Sequence, residues 1–252
     1  MTATPVGFIG GKGVARDVPR ISVVVPTWNE AARLEAFFRT LKRQSLPRSE
    51  YEIVVVDGGS TDGTREIAAR FADRVLVQSH RGVGGARNDG VEVAAADLVA
   101  TTDADCHIPR HWLRRILEHF EDPRVVAVVG PDSPVERTLK ARFTYFLLRG
   151  FVRALALAGI YTTGGGNTAV RKTAFLRIGG YRALPHSDDV ELGLRLRSLG
   201  RIVYDPLLHV RLSVRRLEKD GYLRTLVTWS KGGLYLMLGK EIRGSGYAKQ
   251  QY

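Results

Sequence analysis

The stretch "YEIVVVDGGSTDGTREIAARFA", residues 51–72, carries the pattern on which the fold prediction rests. A uniformly apolar run ends at Asp57, two glycines follow, and a helix-compatible segment begins after Asp62. A strand that is apolar at every position is typical of a parallel sheet with both faces covered. The stretch therefore predicts one strand–turn–helix unit of an α/β protein.

The same order of apolar run, polar loop and helical segment recurs through the first half of the chain. "ISVVVP" (21–26) precedes a segment with apolar residues at helical spacing, and "RVLVQ" (74–78) and "DLVATTD" (97–103) enclose another helix-compatible segment. We therefore predict an α/β fold with a mostly parallel central sheet flanked by helices. Ligands of such sheets bind beyond the carboxyl ends of the strands, which is where "PTWNE", "DGGSTDGT", "SHRGVGGARNDG" and "TTDADC" should lie.

The second half of the chain is less regular. Its predicted elements are strands at 125–130 and 201–206, one long or two shorter helices within 134–161, a glycine loop that leads into a short strand at "GGGNTAVRK", and a helix at 187–200. We expect a flexible N-terminus (1–18), one catalytic domain (19–211) and a basic helical C-terminal extension (212–252).

Charge and cysteine content narrow the functional classes. The chain of 252 residues has 38 Lys and Arg against 26 Asp and Glu, a net charge of +12, which predicts attraction to nucleic acid, nucleotide phosphates or anionic lipid headgroups. Residues 211–252 contain nine of the basic side chains and three acidic ones.

Cys106 is the single cysteine, so an intramolecular disulfide and a multi-cysteine metal site are excluded. Because we see neither a secretory signal nor an apolar stretch of about 18–20 residues, we expect a soluble or peripheral protein.

Two aspartate-containing loops follow predicted strands, and each has two interpretations. "DGGSTDGT" (57–64) lacks the Lys-Ser/Thr pair of a P-loop and the glycine spacing of a dinucleotide-binding loop. It is either a turn in which Asp62 or Thr61 caps the next helix, or a loop in which Asp57 accepts hydrogen bonds from a nucleobase.

In "DAD" (103–105) both carboxylates of an extended strand point to the same side. The D-x-D pattern often arises by chance, but Mg²⁺ or Mn²⁺ shared with substrate phosphates would relieve the repulsion between such carboxylates.

Acidic residues and a histidine near the end of the predicted domain also allow two interpretations. Asp188, Asp189 and Glu191 lie at the start of a predicted helix, where acidic side chains compensate the helix dipole. Three acids exceed what a cap requires, and one of them could act as a general base. His209 is either a hydrogen-bonded surface histidine or a metal ligand.

The long predicted helix of the second half carries Arg142, Arg149 and Arg153 at spacings that place them on one face, and its remaining faces are strongly apolar. It is either a core helix with a solvated stripe or an interfacial helix that lies on an anionic membrane.

Taken in order, these segments resemble family-2 glycosyltransferases of the GT-A fold. The matching segments are "VVVPTWNE", "IVVVDGGSTDGT", "GARNDG", "TTDADC", "GGGNTAVRK", "GGY" and "SDDVELGLRLRSLG", which run from about Ile21 to His209. The resemblance implies a nucleotide-diphospho-sugar donor, most often a UDP- or GDP-sugar, a divalent metal cofactor (Mn²⁺ or Mg²⁺), and transfer of the sugar to an acceptor hydroxyl with inversion. A metal and an arginine would stabilise the leaving diphosphate, and a single base suffices for in-line displacement.

The resemblance also implies roles by position. The implied nucleotide and donor contacts are Pro26, Thr27, Asn29, Glu30, Asp57, Arg87 and Asp103. The implied metal ligands are Asp105 and His209. The implied loop beneath donor and acceptor is Gly165, Gly166 and Asn167, with Asp188 beside the implied catalytic base, Asp189.

Two departures from the family pattern refine the functional prediction. Asp188 replaces the Glu of the family's Glu-Asp pair, and there is no Gln-x-x-Arg-Trp motif. The second departure argues against a processive polysaccharide synthase and favours addition of a single sugar. The basic C-terminal residues and the arginine-bearing helix favour a lipid-linked or surface-glycan acceptor, reached by peripheral contact at the cytoplasmic face of the membrane.

Two other classes of protein are alternatives to a glycosyltransferase. A nucleotidyltransferase that forms nucleotide-sugars would have a glycine-rich signature with Arg and Lys close behind the first strand, which "PTWNEAARLE" does not supply. A nucleic-acid-binding protein is suggested only by the net charge, and the basic residues lack the interleaved aromatics of a binding module. We therefore expect no nucleic-acid partner, and the sequence does not indicate an oligomeric state.

Overall fold

The computed structural model describes residues 8–10, 18–136, 138–157, 159–162, 165–184 and 186–214, together with positions 218, 221, 228, 231 and 235. The strands in this part of the chain are β1 (Phe8–Gly10), β2 (Ile21–Thr27), β3 (Tyr51–Asp57), β4 (Arg74–Val77), β5 (Leu98–Thr101), β6 (Val125–Val129), β7 (Asp132–Pro134), β8 (Thr168–Arg171), β9 (Arg201–Tyr204) and β10 (Val210–Leu212). The α-helices are α1 (Ala31–Lys42), α2 (Thr64–Phe71), α3 (Gly82–Val93), α4 (Trp112–His119), α5 (Leu139–Leu157), α6 (Lys172–Arg177) and α7 (Asp188–Leu196).

The central sheet has eight strands in the order β1-β4-β3-β2-β5-β8-β6-β9. Strands β4, β3, β2 and β5 are parallel, β8 is antiparallel to both of its neighbours, and β6 and β9 are again parallel to each other. Because β8 is the only reversed strand between them, β6 and β9 point in the same direction as β2. The carboxyl ends of these parallel strands and the amino end of β8 therefore meet at one edge, which we call the carboxyl edge. The predicted α/β fold with a mostly parallel sheet is confirmed.

Both faces of the sheet are covered, which explains why its strands are mostly apolar. Every residue of β3 is buried. Ile53 and Val55 pack in the core beneath α1, α2 and α4, whereas Val54 and Val56 pack in the core beneath α3, α6 and α7. Since successive side chains of a strand point to opposite faces, each apolar strand contributes to two cores.

Near the N-terminus the structure contains a strand that the sequence does not predict. Strand β1 lies within the predicted flexible N-terminus (1–18) and pairs antiparallel with β4, a long-range interaction that no local sequence pattern indicates. Residues 1–7 and 11–17 lie outside the described residues, and so does most of the predicted C-terminal extension (212–252). Strands β7 and β10 form a separate parallel pair, and within the described part of the chain no helix is long and apolar enough to cross a membrane.

Candidate active site

The loops after β2 and β3 are tied together at the carboxyl edge. The backbone N–H of Asn29 donates to Ser60 Oγ (2.8 Å), and the N–H of Thr61 donates to Asn29 Oδ1 (2.9 Å). Asn29 has a φ of 52°, and Ser187 is the other non-glycine residue with a positive φ among those described. Left-handed backbone at such residues costs free energy and is concentrated at functional sites. Both positions lie next to predicted site residues.

Asp57, the predicted nucleobase contact, organises the turn after β3. Its buried carboxylate accepts hydrogen bonds from the backbone N–H groups of Gly59 (3.1 Å) and Ser60 (2.9 Å) and from the hydroxyls of Ser60 and Thr27. Arg65 Nε lies 3.6 Å from the same carboxylate. These contacts agree with the turn interpretation of "DGGSTDGT", and a contact between Asp57 and a nucleobase stays a prediction.

Asp62 joins the two helices that follow these loops. Its Oδ1 accepts a hydrogen bond from the Thr64 N–H (3.1 Å) and its Oδ2 accepts one from the Ala31 N–H (3.1 Å). Glu30 adds a further link, because its N–H donates to Thr64 Oγ1 (2.9 Å). Four predicted nucleotide-binding residues thus lie beside the turn after β3: Pro26 and Thr27 at the end of β2, and Asn29 and Glu30 in the loop that follows it.

Arg87 and Asp103 form an ion pair beyond β5. Arg87, on α3, is buried and its Nη2 lies 2.7 Å from Asp103 Oδ1. Burial opposes the charge of the guanidinium, but nearby Asp103, Tyr181 and Asp188 outweigh it and raise the pKa of Arg87. Its Nε is buried and has no hydrogen-bond partner among the described residues. The site therefore holds a buried cation with one N–H donor that a ligand oxygen could accept.

The predicted glycine loop lies directly against this ion pair. A Cβ on Gly165 would lie 2.1 Å from Arg87 Cζ, and a Cβ on Gly166 would lie 3.0 Å from Asp103 Oδ2. The Thr101 hydroxyl donates to the Gly165 carbonyl (3.0 Å) and so anchors the loop to β5. A side chain at 165 would displace the Arg87 guanidinium from this position, so the glycine permits the close approach.

Asn167, the third predicted loop residue, points its side chain into the protein. Its Oδ1 accepts a hydrogen bond from Trp112 Nε1 (2.9 Å), and its Nδ2 donates to the carbonyls of Leu208 (2.7 Å) and Pro131 (3.2 Å). These bonds join the glycine loop to α4 and to the connections after β6 and β9. In this structure the amide group of Asn167 is thus engaged in holding the site together.

The start of α7 brings two acidic residues to the same place. A Cβ on Gly84 would lie 3.0 Å from Asp188 Oδ2, so Asp188 lies against α3 close to Arg87. Burial raises the pKa of Asp189 to about 6, and the neighbouring charge of Asp188 adds to the shift while Arg87 opposes it. A carboxyl group that titrates near neutrality suits a general base. Asp188 and Asp189 thus lie within electrostatic reach of Arg87.

Glu191, the third acid of this helix, has a structural role. Arg195, one turn further along α7, contacts it with Nε (2.6 Å) and with Nη2, and Arg182 Nη1 lies 3.1 Å away. Arg195 also donates to the carbonyls of Ile178 (2.6 Å) and Gly180 (2.7 Å), which fixes the turn before α7. The cluster of three acids therefore divides into two at the site and one in the scaffold.

Asp132 is the site residue that sequence reasoning missed. It begins β7, immediately beyond the carboxyl end of β6, and its Oδ1 is buried without a hydrogen-bond partner among the residues that the structure describes. Burial raises the pKa of Asp132 to about 8, and the nearby charges of Asp103 and Asp189 contribute. A signal was present in "VVAVVGPD", because Asp132 follows an apolar strand just as Asp57 and Asp103 do.

The carboxylates around the "DAD" segment fit a divalent cation that binds together with a donor. Burial raises the pKa of the Cys106 thiol, and the charges of Asp103, Asp105 and Asp132 raise it further, so all three carboxylates surround this point. In the described ranges no group of three or more His, Cys, Asp and Glu side chains could hold a metal ion. A complete protein cage is not required, because Mg²⁺ is commonly held by one or two carboxylates plus substrate phosphates.

His209, the other predicted metal ligand, lies in the connection between β9 and β10. Its Nδ1 is 3.5 Å from Ser133 Oγ, and Arg149 Nη1 is 3.4 Å from the same hydroxyl. Burial and the charge of Arg149 lower the pKa of His209. The imidazole is therefore neutral, as a metal ligand must be, but a positive guanidinium nearby opposes a cation there. The metal role of His209 stays a prediction.

Comparisons with solved structures define the class of protein to which this site belongs. The chain is similar to the mannosyltransferase PcManGT from Pyrobaculum calidifontis, solved in complex with GDP-Man and Mn²⁺, with a TM-score of 0.71 and 23% identity over 98% of this chain and 71% of that one. It is also similar to S. aureus TarS in complex with UDP-GlcNAc, with a TM-score of 0.61 and 18% identity over 78% of this chain and 59% of that one. The fold is the GT-A fold of the glycosyltransferases.

Sequence comparison narrows the class further. Residues 22–179 match Glycosyl transferase family 2, and the chain belongs to that family. The succinoglycan biosynthesis protein ExoA of Rhizobium meliloti is 33% identical over 192 residues, which are 71% of this chain and 58% of ExoA. The glycosyltransferase AglE of Haloferax volcanii is 36% identical over 104 residues, which are 39% of this chain and 34% of AglE. The match thus spans less than two thirds of the length of either relative.

Proposed function

We propose that the chain is a metal-dependent, inverting glycosyltransferase that moves a single sugar from a UDP- or GDP-sugar to an acceptor hydroxyl, with Asp189 as the general base. The observation that carries the proposal is the environment of Asp189. This carboxyl group has a pKa raised to about 6 and lies within electrostatic reach of the buried Arg87. A base and a phosphate-binding cation in one site are the two parts that a single displacement at a nucleotide-sugar requires.

Arg87 would bind the diphosphate of the donor. Its guanidinium is buried and its Nε is left without a hydrogen-bond partner within the described ranges, so a phosphate oxygen would gain a charge-assisted bond there. Its Nη2 is held by Asp103. When the sugar leaves, negative charge develops on the nucleoside diphosphate, and a positioned cation in a water-poor site lowers the free energy of that transition state.

Asp103 and Asp105 would hold Mn²⁺ or Mg²⁺ together with the donor phosphates. When bound, the metal supplies positive charge that stabilises the leaving diphosphate. The similar fold of PcManGT, which was solved with GDP-Man and Mn²⁺, supports this choice of cofactor. The loops that carry Pro26, Thr27, Asn29 and Glu30 would hold the nucleoside, and Asp57 would maintain their shape or meet the base.

Asp189 would accept the proton of the attacking hydroxyl. With a pKa of about 6 it is largely ionised at neutral pH, yet it is more basic than an ordinary aspartate with a pKa of 3.8. Asp188 contributes to this property by its neighbouring charge. One base on the side opposite the leaving group gives a single in-line displacement, and a single displacement inverts the anomeric carbon.

The proposed acceptor is a lipid-linked or surface-glycan precursor at the cytoplasmic face of the membrane, which the protein would contact peripherally. Two observations support this part of the proposal. The net charge is +12, and anionic lipid surfaces attract basic proteins. The relative ExoA is named as a succinoglycan biosynthesis protein.

The variant Asp189→Asn tests the proposed base. We expect it to release nucleoside diphosphate from GDP-mannose or UDP-GlcNAc about 10³-fold more slowly, because the base is lost while the binding groups remain. Stabilisation by nucleotide and Mn²⁺ in a thermal-shift assay should stay as in the wild type. Asp97→Asn, which changes an exposed acid just before β5, is the matched control with unchanged activity. Loss of nucleotide-dependent stabilisation in Asp189→Asn would make Asp189 a donor-binding residue and refute the base assignment.

A further inference from the structure

The outward side of α5 is apolar, although a helix at a protein surface ordinarily turns its apolar stripe inward. Its large apolar side chains there are between 53% and 83% exposed: Leu139, Phe143, Phe146, Leu147 and Leu157. Their helical spacing places them on one face, together with the exposed Gly150 and Ala154. We call these seven positions the outer face of α5.

Basic side chains border this outer face. Lys140, Arg142 and Arg153 are exposed, and α5 contains no Asp or Glu. Arg149, which the sequence places on the same stripe as Arg142 and Arg153, instead turns inward and donates to the Tyr145 carbonyl (3.3 Å) and to Ser133 Oγ (3.4 Å). The result is an apolar centre with basic borders, the composition of helices that lie in the interface of an anionic membrane.

The inner side of α5 leads to the candidate active site. Burial raises the pKa of the buried Tyr145, and the nearby charges of Asp132, Glu136 and Asp105 add to the shift. α5 packs against β7, the strand that begins at Asp132, and Tyr145 is buried on the inner side of the helix, so this side faces the site. An α-helix with its side chains is only about 10–12 Å across, so α5 alone separates a surface on its outer face from β7.

We propose that the outer face of α5 docks on an anionic lipid surface and so brings a lipid-linked acceptor to the active site. The inference rests on the proposed function, because it names the surface from which that function's acceptor is taken. The upper acyl chains would cover Phe143, Phe146 and Leu147, and anionic headgroups would pair with Arg142 and Arg153.

Charge distinguishes a lipid surface from other covers of this face. In a two-fold contact with a second copy the same basic borders would face each other, and like charges would oppose the contact. Residues 211–252 of the same chain carry nine basic and three acidic side chains, so they would bring further positive charge to a basic face. Anionic lipid supplies both an apolar cover and negative charge, which α5 itself does not contain.

Co-sedimentation with vesicles tests the proposal. We expect the protein to sediment at low salt with phosphatidylcholine vesicles that contain phosphatidylglycerol, and much less with phosphatidylcholine alone. The double variant Phe143→Ser and Phe146→Ser should bind at least about tenfold more weakly, because two buried aromatic anchors are lost. Leu176→Ser removes an exposed leucine from α6 and is the matched control. Equal binding by wild type and double variant would refute the docking surface.

A second pair of variants tests the basic border. Arg142→Gln with Arg153→Gln should reduce the preference for anionic vesicles. Arg39→Gln with Arg110→Gln, which removes the same charge from exposed positions elsewhere, should reduce it less. An equal loss in both pairs would mean that net charge, rather than this face of α5, attracts the lipid, and would overturn the proposal.

A fluorescent label distinguishes lipid from a protein cover. Cys106 is buried, so Leu147→Cys can be labelled selectively with a polarity-sensitive dye. We expect a solvent-like emission in the absence of vesicles and a blue shift when anionic vesicles are added. A blue-shifted emission without vesicles would show that the face is already covered, by a second copy if it depends on protein concentration and by the chain itself if it does not. Either result would overturn the proposal.

Stabilisation by GDP or UDP with Mn²⁺, measured on the same preparations without vesicles, distinguishes a failure of the docking proposal from a failure of the proposed function. Nucleotide-dependent stabilisation without vesicle binding would leave the proposed function intact and refute the docking. Vesicle binding without nucleotide-dependent stabilisation would support the docking surface and refute the nucleotide-sugar donor.

Discussion

The two halves of the carboxyl edge are held together by different interactions. In the nucleotide half, beyond β2 and β3, Asp57 and Asp62 accept several backbone and hydroxyl hydrogen bonds. In the transfer half, beyond β6 and at the start of α7, burial raises the pKa of Asp132 to about 8 and that of Asp189 to about 6. The first half is complete without a ligand, whereas the second holds carboxyl groups whose ionisation the protein opposes.

The difference separates residues that maintain the fold from residues available for chemistry. A carboxylate with several hydrogen bonds contributes to stability, because each bond to a charged group adds about 1.5–3 kcal/mol. A buried carboxyl group with a raised pKa costs stability wherever it is ionised, and such groups are concentrated at functional sites. Substitutions in the two halves should therefore change different measured quantities.

After Asp189→Asn, the largest effect on activity is expected from Gly165→Ala, which inserts a methyl group 2.1 Å from Arg87 Cζ. Arg87 must move, its pairing with Asp103 is disturbed, and we expect kcat/KM for donor turnover to fall about 100-fold or more. Gly150→Ala makes the same change in α5, where a Cβ meets no atom within 4 Å. This control should keep full activity and raise the free energy of unfolding by about 0.5–1 kcal/mol. Similar activities for both variants would refute the close packing of Arg87 on the glycine loop.

Asp57→Ala, in the nucleotide half, should lower the stability of the protein. It leaves the N–H groups of Gly59 and Ser60 without their acceptor, so we expect the free energy of unfolding in urea to fall by about 2–4 kcal/mol. Glu35→Ala removes an exposed pairing with Arg70 and should cost no more than about 1 kcal/mol. A change as small as that of the control would mean that Asp57 does not organise the turn.

Asp132→Asn, in the transfer half, should raise the free energy of unfolding, whereas Asp57→Ala should lower it. The pKa of Asp132 is raised from 3.8 to about 8, so the folded wild type loses stability as the pH rises between these values. The uncharged variant lacks that loss. Without metal, we expect it to match the wild type near pH 4 and to exceed it by about 1 kcal/mol or more near pH 8.5. A difference independent of pH would contradict the raised pKa.

Asp205→Asn is the matched comparison for that experiment. Its buried carboxylate is paired with Arg115 and His119, and after the opposing contribution of burial these hydrogen bonds lower the pKa of Asp205. This variant should therefore be less stable than the wild type both near pH 4 and near pH 8.5. Opposite results for these two aspartates would separate a structural carboxylate from one in the transfer half.

The smallest effect is expected from Asp188→Asn, which removes a charge beside the proposed base and Arg87 but leaves both groups in place. Activity of the wild type should fall as the pH decreases through about 6, because Asp189 becomes protonated. Since the charge of Asp188 raises this pKa, its removal should shift the acid limb of kcat/KM to lower pH, by less than about one unit. The rate of nucleoside diphosphate release as a function of pH measures this shift. An unmoved limb would mean that another group controls it.

Most of the fold could be predicted because strands that are buried on both faces are mostly apolar, and such runs are visible in the sequence. The predicted strand at 51–57 coincides with β3, and the single helix α5 lies within the predicted range 134–161. Strand β1 could not be predicted, since its short pairing with β4 is formed between residues distant in sequence.

The candidate site was predicted in part. The rule that polar residues beyond parallel strands meet at one edge predicts that Arg87 and Asp103 lie close together, and the family resemblance adds Asp189. In the structure Arg87 pairs with Asp103 and lies within electrostatic reach of Asp189. The same rule applied to "VVAVVGPD" would have included Asp132. The inward orientation of the Asn167 side chain could not be foreseen, because its partners come from three separate segments.

The sequence by itself determined the fold class and the edge of the sheet at which the site lies, because periodicity and unbroken apolar strands report local burial. Only the tertiary structure decided the ionisation of the site and the orientation of α5. The pKa of a buried carboxyl group depends on charges brought near it by other segments, as Asp103 and Asp189 are brought to Asp132. Both sides of α5 are apolar, so no pattern within the helix indicates which side the protein covers and which it leaves exposed.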